Sequence, residues 1–215
     1  AHLDATLLHI RLKRGEDVIH LTDREREMLR LLAAAPGEAV PRLALAGSGN
    51  GIRSNEAAGV WIEGDGAVRN RIQFNSISLN NQLGIDLLPA GVTPNDAGDP
   101  DAGPNNRQNF PVITSVFTTT PLNPNIPPFT TITGSLNSTP NTNFTIEFFD
   151  NIASDPSGFG EGDASLGTQL VGTDGSGNTS FTFNYPAIPV GDVVTATATD
   201  PTGNTSEFSN WIEVG

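Results

Sequence analysis

The feature that most constrains this chain is a match between two of its own segments at an offset of 25 residues. Both fit the pattern N-x-I-x-x-N-x-x-x-G-[VI]-x-[IL], starting at Asn50 and at Asn75. A fixed period of this size, with short β-branched runs broken by Asn and Gly, is typical of a solenoid. Because the L-x-x-L-x-L pattern of leucine-rich repeats is absent, a right-handed parallel β-helix is favoured.

The pattern also predicts where its polar residues lie. Each Asn is expected at a turn, where its side chain bonds the backbone or stacks on the Asn of the next coil. Gly59 and Gly84 are expected where the backbone is left-handed or closely approached. A solenoid needs about three repeats to bury a continuous core, and two are present. Either further coils precede residue 50, or residues 1–46 cover the open end.

A second pattern, the alternation of apolar and polar residues, begins near Phe110. Phe144, Ile146 and Phe148 share one face of one such segment. Seven short segments, separated by turns rich in Asn, Pro and Gly, predict an immunoglobulin-like β-sandwich. They read VITSVF, TTITGSL, NFTIEFFD, LGTQLVGT, TSFTFNY, DVVTATATD and SEFSNWIEV.

Charge divides the chain near Gly47. Residues 1–46 hold equal numbers of acidic and basic residues, so the whole formal net charge of −13 lies in the remainder. No Lys, Arg or His follows Arg107. Because phosphate binding depends on Lys and Arg, neither nucleic acid nor an anionic membrane is expected as a partner. The absence of Cys excludes disulfides and thiolate metal sites.

The first piece, residues 1–47, predicts a small α/β segment. The stretch LLHIRLKRGEDVIHL alternates around a hairpin turn at Gly15. Thr22 and Glu25 then have the spacing of a capping box, and Pro36 ends the helix that they begin. Asp4 interrupts the first apolar stretch, so no signal peptide is expected here, and no apolar run is long enough to span a membrane.

Residues 5–46 resemble the opening of the winged-helix domain of OmpR/PhoB-type response regulators. The resemblance rests on Leu21-Thr22, Glu25, Leu29, Leu31-Leu32, Pro36-Gly37, Val40 and Arg42. It implies DNA binding, which that family performs mostly through a recognition helix and a wing. Here Gly47-Ser48-Gly49-Asn50 stands where those elements would follow. A truncated segment that packs on a neighbour is therefore favoured over a DNA-binding regulator.

Residues 50–214 resemble the C-terminal region of secreted bacterial β-helix repeat proteins. The stretches GIDL, GVTPNDAGD, GPN and QNFPV carry the resemblance, and they begin at Gly84, Gly91, Gly103 and Gln108. In that family they close the solenoid and lead into a β-sandwich. The resemblance implies an extracellular or cell-surface location and a structural or adhesive function.

Two acidic loops are candidates for Ca²⁺ binding, because Ca²⁺ takes six to eight oxygen ligands from carboxylates, amides and carbonyls. The first loop supplies Asn95, Asp96, Asp99 and Asp101, and the second supplies Asp150, Asp155, Glu161 and Asp163. Neither has the spacing of an EF-hand. The alternative is that both are solvated turns shaped by Asx hydrogen bonds.

Catalysis is the less favoured alternative. Parallel β-helices often carry polysaccharide lyases and hydrolases, and Asp86 with Asp96 could form a glycosidase pair. A lyase would need basic residues, but residues 48–215 contain four Arg and neither Lys nor His. The missing His also excludes a Ser-His-Asp site in this part of the chain.

Together these patterns predict a mainly β protein of three parts: residues 1–47, the coils and acidic loop of 48–109, and the sandwich of 110–215. The expected function is that of a non-enzymatic structural or adhesive module of an extracellular bacterial surface protein. A carbohydrate or another cell-surface ligand is the expected partner, with Ca²⁺ as the candidate ion. The alternatives are a DNA-binding fragment and a polysaccharide-acting enzyme.

Overall fold

The computed structural model describes residues 49–215 and two short strands, β1 at Lys13–Arg14 and β2 at Asp17–Val18. The chain is mainly β and divides into two compact units, Ala1–Pro41 and Arg42–Gly215. The first two strands pair antiparallel, with Arg14 opposite Asp17, as the predicted hairpin requires. The predicted helix after Thr22 and the other residues of the winged-helix resemblance lie outside the described residues.

Four three-residue strands form two parallel pairs. The strands are β3 at Gly51–Arg53, β4 at Val60–Ile62, β5 at Ser76–Ser78 and β6 at Ile85–Leu87. The β3 strand pairs with β5, and β4 pairs with β6. In each pair every residue lies opposite the one 25 positions later, such as Ile52 opposite Ile77. The offset read from the sequence is therefore the register of these pairs.

Asn side chains join the two segments at their turns. The Asn50 amide donates to the Asn75 side-chain oxygen at 2.8 Å, and the Asn55 amide donates to that of Asn80 at 2.7 Å. Each bond satisfies a polar group that would otherwise stay unpaired between stacked turns. The predicted contact between matching Asn residues is confirmed.

Gly59 directly precedes β4 and packs against Ile77 and Gly84 of the segment 25 residues later. A Cβ atom there would lie 2.7 Å from the Gly84 carbonyl oxygen and 2.7 Å from Cγ2 of Ile77. No side chain fits such a gap, so the close approach that the pattern predicts for this glycine is present. Beneath it lies an aliphatic core of residues less than a tenth exposed: Val60, Ile62, Ile72, Ile77, Ile85 and Leu87.

Seven antiparallel strands follow. They are β7 at Val112–Thr119, β8 at Phe129–Asn137, β9 at Asn143–Asn151, β10 at Ala164–Gly172, β11 at Asn178–Pro186, β12 at Val193–Thr199 and β13 at Ile212–Glu213. They form a three-stranded sheet in the order β11-β8-β7 and a four-stranded sheet in the order β10-β9-β12-β13. The first six overlap the predicted segments closely.

The two sheets share one hydrophobic core. Phe144, Ile146 and Phe148 of β9 are fully buried, as their alternation predicts. From the three-stranded sheet, the ring of Phe181 meets that of Phe148 edge-on at 5.5 Å, and the ring of Phe183 stacks on it at 4.4 Å. Burying an aromatic side chain of this size contributes about 1.5–3 kcal/mol.

The seventh predicted strand is shorter than the sequence suggests. The pattern SEFSNWIEV predicted a strand over residues 206–214, whereas β13 covers Ile212–Glu213. Ser206 and Ser209 cause the difference, since their hydroxyls accept from the amides of Ala198 and Ala196 in β12 at 2.9 Å each. Side-chain bonds there replace part of a backbone ladder, a competition that apolar periodicity does not reveal.

The seven-stranded part contacts the parallel pairs directly within Arg42–Gly215. Ile77 and Gly162 exchange two backbone hydrogen bonds of 2.7 Å, so β5 lies between β3 and Gly162. The Ile72 amide donates to the Thr205 hydroxyl at 2.9 Å. The part of the chain that the structure describes contains no helix long and apolar enough to cross a membrane.

Candidate functional site

The first acidic loop brings three of the predicted ligands together. Asp96, Asp99 and Asp101 each place one carboxylate oxygen so that all three atoms lie within 4.8 Å of one another. Asn95 is used differently, because its side chain exchanges hydrogen bonds of 2.8 and 2.9 Å with the backbone of Phe110. Asn95 therefore fixes the loop to the start of the seven-stranded part, beside the Asp cluster.

Asp99 is the most tightly held member of this cluster. Its Oδ2 accepts from the Ser138 hydroxyl and from Nε2 of Gln108, and its Oδ1 accepts from the Asn109 amide at 3.2 Å. Burial, and to a smaller degree the charges of Asp101 and Asp96, raise the pKa of Asp99 to about 6. Burial and the charge of Asp96 also raise the pKa of Asp101.

Two oxygens of the cluster are buried without a hydrogen bond. Neither Oδ1 of Asp96 nor Oδ1 of Asp101 has a partner among the described residues. The other oxygen of Asp101 lies 3.8 Å from Nη1 of Arg107, which offsets part of the negative charge. Carboxylate oxygens without a protein partner are the ligand type that a hard cation such as Ca²⁺ takes.

The second acidic loop does not join the first. Glu161 instead accepts from the backbone amide of Asn80 at 3.1 Å and from its side chain at 2.7 Å. Oδ1 of Asp163 accepts from Nη2 of Arg53 at 2.6 Å and from the hydroxyls of Ser76 and Ser78. Both carboxylates thus bind the parallel pairs rather than one another.

The remaining two predicted ligands lie apart. Asp155 accepts from the Ser157 amide at 2.7 Å, which is the Asx turn that the alternative interpretation expected. Asp150 lies in β9, and its Oδ1 is buried without a partner among the described residues. Burial, with the charges of Asp192 and Asp163, raises the pKa of Asp150. Ca²⁺ binding by the second loop stays a prediction.

Sequence reasoning missed two carboxylates that link the two parts. Both oxygens of Glu147 face the Phe74 amide at 3.0 and 3.1 Å. Glu207 accepts from the amides of Leu87 and Thr93 at 2.9 Å each. Glu147 is fully buried and Glu207 is 3% exposed. The sequence offered one signal for these buried acceptors, a Glu beside aromatic residues: Glu147 in NFTIEFFD and Glu207 in SEFSNW.

Enclosure raises the pKa of these buried carboxylates. Burial is the largest cause, and with the charge of Asp86 it raises the pKa of Glu207 to about 7, against the lowering effect of its hydrogen bonds. Burial likewise raises the pKa of Glu147 and that of Asp86. Asp86 is 2% exposed, and its Oδ1 lacks a hydrogen-bond partner among the described residues.

The alternative of glycosidase chemistry gains no support from this arrangement. Asp86 and Asp96 were the candidate pair, yet Asp86 is enclosed and bonded to the Gly91 amide at 3.2 Å. A general acid must reach the glycosidic oxygen of a bound polysaccharide. A side chain that is 2% exposed does not offer that access.

The described residues therefore provide a three-carboxylate cluster in the first loop and a row of buried acceptors where the seven-stranded part meets the parallel pairs. No protein-family model matches the chain, and no curated protein matches its sequence.

Proposed function

We propose that this chain is a non-enzymatic structural or adhesive module of an extracellular bacterial surface protein. In this proposal residues 48–109 are the last coils of a right-handed parallel β-helix, and residues 110–215 are an immunoglobulin-like sandwich that closes its end. A carbohydrate or another cell-surface ligand is the proposed partner. The resemblance of residues 50–214 to secreted β-helix proteins supports the location.

One observation carries the structural part of the proposal. Six backbone amides between Arg69 and Leu87, none of them used by β3 or β4, donate to acceptors from the seven-stranded part. Ile77 and Leu87 belong to β5 and β6, and the other four donors lie outside these strands. The donors are Arg69, Ile72, Phe74, Ile77, Asn80 and Leu87, and their acceptors are Asn204, Thr205, Glu147, Gly162, Glu161 and Glu207. Leaving one buried amide unpaired costs about 1–3 kcal/mol.

These six acceptors can cover backbone groups that would otherwise be open to other chains. An open strand edge presents unpaired amides and carbonyls, and it recruits other chains unless it is covered. Here five of the six acceptors are side chains and one is a backbone carbonyl. Backbone-to-backbone pairing of the parallel stack therefore ends where these acceptors lie. The seven-stranded part therefore acts as the terminator of the parallel stack in this proposal.

The strand order supports the sandwich. Consecutive strands β7 and β8 stay in one sheet, β9 and β10 move to the other, β11 returns, and β12 and β13 cross again. Such crossing between two antiparallel sheets around one core is the arrangement of immunoglobulin-like domains. The shared core of Ile132, Phe148 and Val194, all fully buried, agrees with it.

Separate expression of residues 48–215, 110–215 and 48–109 tests the proposal. The 110–215 piece should remain folded by far-UV circular dichroism, because it keeps its own core. The 48–109 piece should unfold or associate by light scattering, because it loses the six acceptors. A folded, monomeric 48–109 would show that the coil end needs no terminator. An unfolded 110–215 would reject the division into two parts.

The Asp96–Asp99–Asp101 cluster supports a second proposal, that the module binds Ca²⁺ at its first acidic loop. The supporting observation is the pair of buried oxygens on Asp96 and Asp101 that lack hydrogen bonds among the described residues. The loop would then be held by the ion as well as by Asn95. A thermal-melting experiment with a paired Asp variant, argued below, tests this proposal.

A further inference from the structure

A cleft opens where the turn after β5 meets the connection between β9 and β10. Its volume is about 530 Å³, within the range of about 300–1,000 Å³ that small-ligand sites occupy. It is distinct from the Asp96–Asp99–Asp101 cluster, none of whose residues lines it. Three of the carboxylates in the second acidic loop do line it: Asp155, Glu161 and Asp163.

Part of the cleft lining is apolar. Leu79 and Ile152 line it, and they are 70% and 80% exposed, although neither contributes to a core. In the preceding segment the position that matches Leu79 is Ser54, so the turn itself does not require an apolar residue. Trp211 also lines the cleft, and its indole Nε1 donates to the Asp155 carbonyl at 3.0 Å. That bond fixes the orientation of the ring.

The cleft lining also includes hydrogen-bonding groups. Nη2 of Arg53 donates to Oδ1 of Asp163 at 2.6 Å, which orients both side chains. The Ser76 and Ser78 hydroxyls also donate to Oδ1 of Asp163, and Asn81 lines the cleft with an exposed side chain. Together these groups offer donors and acceptors to a ligand in the cleft.

The charge of the cleft restricts its ligand. Asp155, Glu161 and Asp163 outnumber Arg53, and Arg53 is already paired. A carboxylated or phosphorylated ligand would meet like charge here, so among saccharides a neutral one is favoured over an acidic one. A pyranose ring has apolar C–H faces and a rim of hydroxyls that both donate and accept. Those two properties match the apolar residues and the polar groups that line the cleft.

We infer that this cleft binds a neutral saccharide, with one sugar ring on Trp211 and its hydroxyls on Asp163, Arg53 and Asn81. The inference deepens the proposed adhesive function and rests on it, because it assigns the ligand class and the site. An extended peptide is the competing class, and the experiment separates the two.

Isothermal titration calorimetry on the full chain tests the inference. The probes are cellotriose, chitotriose, maltotriose and xylotriose as neutral sugars, trigalacturonate as an acidic one, and a mixture of short unmodified peptides. At least one neutral sugar should bind saturably. The same protein should bind trigalacturonate at least about tenfold more weakly, the ratio that corresponds to 1.4 kcal/mol.

Variants locate the site. Trp211→Ala should weaken binding of the neutral sugar about tenfold or more, since an aromatic contact of this kind is lost. Leu79→Ser places the matching residue of the preceding segment on an exposed position, so it should fold normally and weaken binding by a smaller factor. The matched control is Trp61→Ala, a tryptophan that is 42% exposed and does not line the cleft. Trp61→Ala should bind as the parent does.

Several results would overturn the inference. They are no binding of any neutral sugar, equal losses in Trp211→Ala and Trp61→Ala, binding of trigalacturonate as tight as that of the neutral sugars, or binding of the peptides alone. The thermal melts of all variants are compared, so that a loss of folding is not read as a loss of contact. Such a failure would leave the terminator function standing, because separate expression of the two parts tests that function.

Discussion

At the scale of the residue, three enclosed carboxylates distinguish this molecule. Asp86, Glu147 and Glu207 are at most 3% exposed, and an ionised carboxylate is costly to bury unless hydrogen bonds compensate it. Glu147 and Glu207 obtain that compensation from the backbone amides of Phe74 and Leu87, whereas Asp86 obtains one bond from Gly91. Burial nevertheless raises the pKa of all three carboxylates in the folded chain.

Stability should consequently increase on mild acidification. The pKa of Glu207 is raised from an ordinary 4.5 to about 7, so between these values the folded state binds a proton that the unfolded state lacks. The stabilisation is fully present below the lower value and is lost as pH rises through the upper one. Urea unfolding should give a free energy about 1–3 kcal/mol larger at about pH 5.5 than at about pH 8.

The matched variant for this prediction is Glu207→Gln, which removes the titrating group. The difference between the two pH values should shrink in this variant. The other carboxylates with raised pKa act in the same direction, so some difference should remain. An undiminished difference in the variant, or lower stability of the parent at about pH 5.5, would contradict the assignment to Glu207.

Calcium provides the second prediction at this scale. If the Asp96–Asp99–Asp101 cluster binds Ca²⁺, excess Ca²⁺ should raise the melting temperature, because a ligand of the native state stabilises it by about 2.7 kcal/mol at 100 times Kd. Asp99→Ala combined with Asp101→Ala should abolish the increase. The control is Asp155→Asn in the second loop, which should leave it intact. Equal melting temperatures with Ca²⁺ and with chelator would contradict Ca²⁺ binding and favour the alternative, a solvated turn.

At the scale of the element, local patterns predicted most of what the structure contains. Alternation predicted six of the seven antiparallel strands, because each strand buries one face against the shared core. The offset of 25 predicted the parallel register, because stacked strands must match residue for residue. Ser206 and Ser209 shortened β13 through side-chain bonds, which apolar periodicity does not encode.

The candidate sites were predictable to different degrees for a physical reason. Asp96, Asp99 and Asp101 lie within six residues, so one loop brings them together. The contacts of Glu161 with Asn80 and of Asp163 with Arg53 join residues 81 and 110 positions apart. Contacts of that range depend on how the seven-stranded part docks onto the parallel pairs, and residue spacing carries no information about docking.

For the parallel pairs, we predict that Gly59 cannot be replaced by a larger residue without loss of stability. Gly59→Ala would place a methyl group 2.7 Å from the Gly84 carbonyl oxygen, so the strands must separate. Overpacking of this kind should lower the free energy of unfolding by about 1–3 kcal/mol. The control is Gly66→Ala, where an added Cβ meets nothing within 4 Å. Equal changes in the free energy of unfolding for the two variants would show that the close approach at Gly59 does not contribute to stability.

At the scale of the whole molecule, charge separates the favoured function from its nucleic-acid rival. The formal net charge is −13, and no basic residue follows Arg107. Phosphate contacts require Lys and Arg, so the chain should form no complex with duplex DNA even at low salt. A mobility-shift titration measures this directly. A micromolar complex that weakens with added salt would instead support the DNA-binding alternative for residues 1–46.

The central claim at this scale is that the seven-stranded part terminates the parallel stack by accepting its free amides. Glu147, Glu161 and Glu207 accept from Phe74, Asn80 and Leu87, whose amides β3 and β4 do not use. Since an amide at an open strand edge exchanges its hydrogen with water, protection from exchange reports whether these bonds exist in solution.

Amide hydrogen exchange followed by NMR at Phe74, Asn80 and Leu87 is the most direct test. The account predicts that all three are protected to a degree comparable with Ile77, whose amide is bonded to Gly162. Gly64 and Gly66 lie in an exposed turn and serve as unprotected references. Exchange of the Phe74, Asn80 and Leu87 amides as fast as these references, in a chain that remains folded, would contradict the account.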